Sequence, residues 1–523
     1  MVRAIRKAYE IGQEDEALEP MVLVDRSGRP IGLFQDGDSV IFYDIRGERE
    51  IAITQSLTDD DFEHFSVQKL MNLNFVTMIE YSSDLKVKVA FPPEGRIKNT
   101  LAEVLSQNGI RLLKIAESEK AVHIGYFMNG KNEEPFPGEE QIIIPSPEGV
   151  LSYATVPEMS AAQVTEEVIR NLQKCDHRVI IANYANVDVI GHIENRSSVI
   201  KAVETVDKEL GKLIHACRKN NITLVVSADH GTVENWLYPD GQVNTGHTKS
   251  PVPFILADFS LPDIKKQRIR SEGELSDVAP TLLDLLEIPV PPEMNGNSLL
   301  EVKEPASEIE RRLLFLILDG WGVSEDSKGN LIHEAETPHF DRIFQECPSS
   351  RLKASGEAVG MPSHTVGNSE AGHLHIGAGR RVFLDRVKID RSVEDGTFFS
   401  NEAFIWAIEN AKKENKALHL LGIVSHYSSH GTIRHLFALL ELAKKMEIKD
   451  VFVHALIGRR GEKPESGAVY VHKVEEKCRD LGVGKVVTVL GRYWALDREE
   501  NWDRVEKAYR AFVHGAGIHV TVD

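Results

Sequence analysis

At 523 residues the chain exceeds what one hydrophobic core usually organises, so at least two domains are expected. Its 61 Lys and Arg stand against 80 Asp and Glu, a formal charge of -19 that argues against nucleic-acid binding or docking on an anionic membrane as the main activity. Cys175, Cys217, Cys347 and Cys478 are too scattered for a disulfide framework or a thiolate zinc site, no apolar run approaches the ~18 residues of a membrane span, and MVRAIRKAYEIGQ is too charged for a signal-peptide core, so a cytoplasmic protein is expected.

Along the chain, Ser160 stands before AAQVTEEVIRNLQ with Gln163 three residues on, a capping-box pattern that predicts a helix start. HRVIIANYANVD (177 to 188) then reads as a strand, SSVIKAVETVDKELGKLIHACRKN (197 to 220) as a helix and NITLVVSADHG (221 to 231) as a strand. This alternation predicts parallel βαβ units and an α/β class. LFLILDGWG (314 to 322) reads like the opening strand of a domain, yet it lies past the middle of the chain. TVGNSEAGHLHIGAG (365 to 379) sets Ser369 among residues too small to cover it.

Three of these strands run into an aspartate at or just beyond their carboxyl ends: Asp188, Asp229 and Asp319. In an open parallel sheet the ligand crevice lies beyond those ends, so the three carboxylates are expected to converge, and to need cations between them. His192 is four residues from Asp188, His230 follows Asp229, and His247 lies in the loop NTGHTKSPVP. Taken singly, an Asp after a strand is commonly a turn or helix cap, and a His is often surface or core. The coincidence of all six is what points to metal, with carboxylate and imidazole suiting manganese or zinc and carboxylate also suiting magnesium. If the 365 to 379 stretch opens a helix, amides and dipole there favour a serine alkoxide or a bound phosphate, and Ser369 becomes a nucleophile that needs no Ser-His-Asp relay.

With these residues in hand, the chain resembles the cofactor-independent phosphoglycerate mutases of the alkaline phosphatase superfamily. The resemblance rests on LILDGWG, GNSEAGHLHIGAGR, GRYWALDRE, NWDRVEKAY, PEMSA, ADHGTVENW and DVAPTLLDLL. In that family the LDGWG strand opens the chain, so the order here implies circular permutation, with EVKEPASEIERR (301 to 312) joining the usual termini. The resemblance implies an α/β protein of two domains: a phosphatase domain with a mostly parallel sheet over 97–383, and a transferase domain assembled from 1–96 and 384–523.

Residue by residue, the resemblance implies that Asp319, Ser369, Asp229 and His230 hold one metal and Asp188, His192 and His247 the other. It implies substrate contacts at Arg46, Arg49, Lys120, His430, Arg460, Arg492 and Arg498, with Lys120 also in the catalytic set beside Ser369. Guanidinium forks suit phosphate and carboxylate in an otherwise acidic protein. Two loops depart from the family pattern: SHYSSHGT keeps His430 but lacks the family's glycines, and IGRRG places Gly461 where an aspartate is usual.

The expected activity is interconversion of 3-phosphoglycerate and 2-phosphoglycerate, a step of glycolysis and gluconeogenesis, through a phosphoserine and two divalent ions. Manganese is expected first, with magnesium, cobalt and zinc as alternatives. The rivals are a metal-dependent phosphatase or a mutase for another phosphorylated metabolite, and a non-catalytic protein that binds phosphorylated ligands. The partner is then a small molecule, with no nucleic acid or membrane, and the resemblance implies a monomer.

Overall fold

A computed structural model describes residues 1–522 apart from 94, 151, 239, 262, 265, 266, 303–309, 427 and 459–464. Most of the expected linker at 301–312, and both Arg460 and Gly461, lie outside the described residues. The fold is α/β, in two compact units: residues 1–93 with 385–523, and residues 94–384.

In the 94–384 unit an eight-stranded sheet runs in the order Glu272–Glu274, Ser349–Lys353, Val252–Asp258, Thr223–Ser227, Leu313–Leu318, Val179–Tyr184, Leu112–Glu117, Glu139–Ile144. Only Val252–Asp258 pairs antiparallel with its neighbours. The three central strands are apolar runs buried along their whole length, as strands covered on both faces must be. Their register is even: Ile317 pairs with Asn183 on one side and with Ser227 on the other. All three strands therefore end on one row, and backbone bonds from Asp319 N to Tyr184 O (3.1 Å) and from Asp188 N to Asp319 O (3.1 Å) carry that alignment past the sheet edge.

Two helix starts are built differently from the sequence pattern. The helix Ala161–Lys174 begins after Ser160, but the capping box does not form. The Ser160 hydroxyl donates instead to Pro145 O at 2.7 Å, and its backbone N–H donates to Glu117 Oε1 at 3.0 Å. The helix Ser369–Ala378 is capped by Asn368, whose side chain accepts from Ala371 N at 2.8 Å, so Ser369 occupies the first helical position.

The unit of 1–93 and 385–523 holds a second eight-stranded sheet, ordered Ile518–Thr521, Met21–Val24, Lys485–Gly491, Val451–Ile457, Leu418–Ile423, Ser39–Phe42, Asn74–Ile79, Lys88–Phe91. It is parallel except where Met21–Val24 meets Lys485–Gly491. Strands from the two ends of the chain share it: Ser39–Phe42 lies beside Leu418–Ile423, and Met21–Val24 lies between Ile518–Thr521 and Lys485–Gly491.

The glycines around Ser369 serve close approach rather than exposure. A Cβ on Gly372 would lie 2.5 Å from the Asp229 carbonyl oxygen and 2.7 Å from its Cβ, and one on Gly367 would lie 2.2 Å from Ala354 O. The helix is thus seated directly on the end of the 223–227 strand, and Ser369 is only 7% exposed. Gly372→Ala is expected to lift that helix and lower stability by about 1–3 kcal/mol, the usual range for overpacking. Urea unfolding checks this; a midpoint equal to that of wild type would show that the helix is not seated on Asp229.

Candidate metal and phosphoryl site

The three strand-end aspartates gather around one ammonium. Lys120 Nζ donates to Asp188 Oδ2 (2.6 Å), Asp319 Oδ1 (2.6 Å) and Ser369 Oγ (2.8 Å). Lys120 is 3% exposed, and Asp229 and Asp319 are wholly buried. Burial alone works against the ammonium, but the charges of Asp319, Asp188 and Asp229 outweigh it and raise its pKa. Burial likewise opposes ionisation of Asp188 and Asp229. For Asp188 it is overcome by Lys120, His192 and His230, and for Asp229 by His230 and His373, so both are held below the usual carboxylate range. Asp319 moves the other way, raised first by burial and then by the charge of Asp229.

The histidines meet the same cluster. His192 Nε2 and His247 Nε2 each lie 3.2 Å from Asp188 Oδ1, and 3.1 Å from one another. Each ring is fixed from behind, His192 Nδ1–H donating to Thr245 O (2.7 Å) and His247 Nδ1–H to Gly367 O (2.8 Å). Asp188 raises His192, and for His247 it outweighs the burial that opposes charge, so each Nε2 favours a proton facing the carboxylate and, when neutral, turns its lone pair to that oxygen. His230 Nε2 lies 3.0 Å from Ser369 Oγ and 3.4 Å from Asp229 Oδ2.

This arrangement fits divalent metal. Asp188 Oδ1 and Asp229 Oδ2 are sealed from solvent and make no hydrogen bond among the described residues. Two neutral imidazole nitrogens and a carboxylate oxygen facing one another repel unless a proton or a metal lies between them, and a backbone carbonyl accepting from Nδ1 is a usual way to orient a ligating histidine. Asp188, His192 and His247 offer one such group, and Asp188, His230 and Asp319 another.

Sequence reasoning missed two members of the cluster. His373 Nδ1–H donates to Ser369 O at 2.9 Å and lies 3.3 Å from Asp229 Oδ2, while Asn183 Nδ2 donates to Asp319 Oδ2 at 2.9 Å. The spacing of His373, four residues after Ser369, was a helical signal that could have found it. A pocket of about 510 Å³ opens onto Lys120, His123, Asp188, His192, His247 and Ser369. A larger cavity of about 1450 Å³ lies between the helix Val2–Glu10 and the strand Ile518–Thr521, without such a cluster.

The expected substrate residues other than Lys120 belong to the 1–93 and 385–523 unit, and five of them are described. Glu48 bridges Arg46 (3.1 Å) and Arg498 (3.4 Å), Arg49 Nη1 donates to Leu496 O (3.3 Å), and Arg492 is 7% exposed, its Nε lying 3.7 Å from Glu16. His430 Nδ1–H donates to Glu50 Oε1 at 2.6 Å. Asp44, Glu50 and His430 form a further buried acid and imidazole group, but it differs from the strand-end cluster. Burial, followed by the charges of Arg492, Arg46 and Arg49, takes His430 down to about 4 despite the opposing charge of Asp44. Burial takes Glu50 up to about 8 and also raises Asp44, so this group is kept near neutral by protons, and the surrounding guanidinium groups oppose a metal.

Residues 34–290 match a family model described as the metalloenzyme superfamily, and residues 389–522 match one described as the BPG-independent PGAM N-terminus. The model named for an N-terminus thus falls in the carboxyl-terminal part of this chain. Among curated proteins, the 2,3-bisphosphoglycerate-independent phosphoglycerate mutase of Moorella thermoacetica is 42% identical over 298 residues, which is 57% of this chain and 56% of that protein. Mutase 1 of Methanosarcina acetivorans is 41% identical over 302 residues, 58% of this chain and 57% of that protein. The chain therefore spans little more than half the length of the curated relatives it matches. A crystal structure of Leishmania mexicana phosphoglycerate mutase at low cobalt concentration aligns with 28% identity over 54% of this chain and 53% of that one, with a TM-score of 0.37.

The Glu50 carboxyl gives a pH test. Its folded pKa, about 8, lies above the ordinary glutamate value, so its contribution to stability is complete below that ordinary value and is lost as pH rises through about 8. Glu50→Gln stays neutral throughout and is expected to gain on wild type by roughly 1 kcal/mol per pH unit from about pH 5 to pH 8. Unfolding midpoints across that range check this; a difference that stays flat contradicts a buried, protonated Glu50.

Proposed function

We propose that this chain, whose residues 34–290 match the metalloenzyme superfamily model, interconverts 3-phosphoglycerate and 2-phosphoglycerate through a phosphoserine at Ser369. The observation that carries this reading is the Ser369 hydroxyl itself. It lies at the first position of a helix, 2.8 Å from the Lys120 ammonium, 3.0 Å from His230 Nε2 and 3.4 Å from Asp319 Oδ1.

Ser369 Oγ attacks phosphorus, the bond from phosphorus to the substrate oxygen breaks, and that oxygen takes up the proton the serine gives up. The reverse step on the neighbouring hydroxyl of glycerate completes the exchange and frees Ser369. Lys120 holds positive charge against the serine oxygen, and the first amides of the helix face the phosphoryl oxygens. Asp188, His192 and His247 would hold one divalent ion, and Asp319, Ser369, Asp229 and His230 the other. When bound, such ions neutralise phosphoryl charge and lower the pKa of the serine hydroxyl. Mixed oxygen and nitrogen donors suit manganese, with magnesium, cobalt and zinc as alternatives.

Arg46, Arg49, Arg460, Arg492, Arg498 and His430 are assigned to the carboxylate and hydroxyls of glycerate, which guanidinium forks match. The reading also takes the chain to be a cytoplasmic monomer in circularly permuted order. The permutation is supported by the N-terminus model matching at 389–522, and by the pairing of strands from both chain ends in one sheet. Among the described residues no helix is long and apolar enough to cross a membrane.

Phosphorus NMR of manganese-loaded protein with 3-phosphoglycerate, in the absence of bisphosphoglycerate, tests the reading against Ser369→Ala. Wild type is expected to form 2-phosphoglycerate, and Ser369→Ala to form none. Release of inorganic phosphate alone would make the protein a phosphatase, and identical behaviour of the two proteins would remove Ser369 from the chemistry.

A further inference from the structure

One side chain facing the pocket has no role in the scheme above. His123 begins a π-helical turn, His123–Phe127, closed by a 3.0 Å bond from Met128 N to His123 O. Such turns are rare and frequently occur at functional sites, because the extra residue re-aims a side chain. Here the turn brings the ring to the pocket that Lys120, Asn368 and Ser369 also line. Phe127 stacks on it with centroids 5.9 Å apart and planes at 23°, and His373 lies against it at 5.6 Å.

The ring is held by packing, yet its polar atoms are idle. Nδ1 is sealed from solvent without a hydrogen bond, and Nε2 also makes none among the described residues. His373 next to it is bonded to Ser369 O and Asn183. Buried polar atoms are nearly always paired in folded proteins, and one left unpaired beside a reactive group is consistent with a catalytic role. Burial, with the positive charges of His373 and Lys120, takes the imidazole down to about 4, so at neutral pH it carries one N–H and no charge. A neutral N–H opening beside a serine nucleophile and an ammonium is a fitting donor for an anionic tetrahedral oxygen.

We propose that His123 donates a hydrogen bond from Nε2 to a non-bridging oxygen of the phosphoryl group at Ser369, which makes it a further catalytic residue of this site. The inference rests on the phosphoryl-transfer reading above. It assigns the pocket a fixed neutral donor in addition to Lys120.

Calorimetric titration with inorganic phosphate, on metal-loaded wild type, His123→Gln and His123→Phe, tests it, with the metal content of each protein measured alongside. Wild type is expected to bind phosphate. His123→Phe, which keeps the ring packing but has no N–H, is expected to bind roughly 10- to 100-fold more weakly at unchanged metal content, the range for a hydrogen bond to a charged group. His123→Gln, which restores a side-chain N–H, is expected to recover most of that loss. With 3-phosphoglycerate, His123→Phe is expected to lower kcat more than it raises KM. Wild-type phosphate affinity in His123→Phe, equal weakening in His123→Gln, or loss of metal along with affinity would each overturn the role of His123 and leave the Ser369 chemistry standing. Failure of metal-loaded wild type to bind phosphate would instead remove the phosphoryl site itself, and His123 with it.

Discussion

Everything at the candidate site follows from burying three carboxylates at the ends of three adjacent parallel strands. Register fixes the strand ends on one row, so Asp229, Asp319 and, one short turn further on, Asp188 are brought together. Unpaired charges in such a place are among the most unfavourable arrangements a protein can hold. Lys120 compensates in part, with 2.6 Å contacts to two of the three, and leaves a negative excess. The opposite shifts of Asp319 and of Asp188 and Asp229 show how the excess is managed in the protein alone: carboxylates and imidazoles hold protons between them. Divalent cations meet the same need with more charge, and their binding is then linked to release of those protons.

The acid group in the other unit solves a similar problem in a different way. Asp44 and Glu50 are buried behind His430, but with three arginines near by, burial pushes both carboxyls toward their neutral forms. Protons on the two acids, with the guanidinium groups near by, suffice there. The contrast separates two groups that composition alone would class together: carboxylates with orphaned oxygens and inward-facing imidazole lone pairs suit metal, while a protonated acid pair in hydrogen-bond contact with a histidine suits the positioning of that ring.

Much of this was legible from sequence because buried parallel strands spell themselves out as continuous apolar runs. LLFLIL, VIIANY and TLVVS, each with an aspartate shortly beyond, announce both the sheet and the edge where chemistry can gather. What pattern could not supply was competition between partners. Ser160 has the sequence of a capping box, yet a carbonyl from residue 145 takes its hydroxyl. Gly367 and Gly372 read as leaving Ser369 uncovered, whereas their missing Cβ atoms let the helix sit on Asp229 and bury the serine. Asn183 and His123 carried no signal as isolated residues, since their meaning depends on contacts with His373, far along the chain from both.

On the proposed reading the strand-end cluster is built for two divalent ions, and Lys120 alone is not its full complement of positive charge. Anomalous diffraction from crystals of the protein soaked in manganese tests it most directly. Two manganese peaks are expected in the 94–384 unit, one against Asp188, His192 and His247 and one against Asp229, His230, Asp319 and Ser369, with none at Asp44, Glu50 and His430. A map without peaks at the strand ends, with Lys120 still bonded to Asp188 and Asp319, would contradict it.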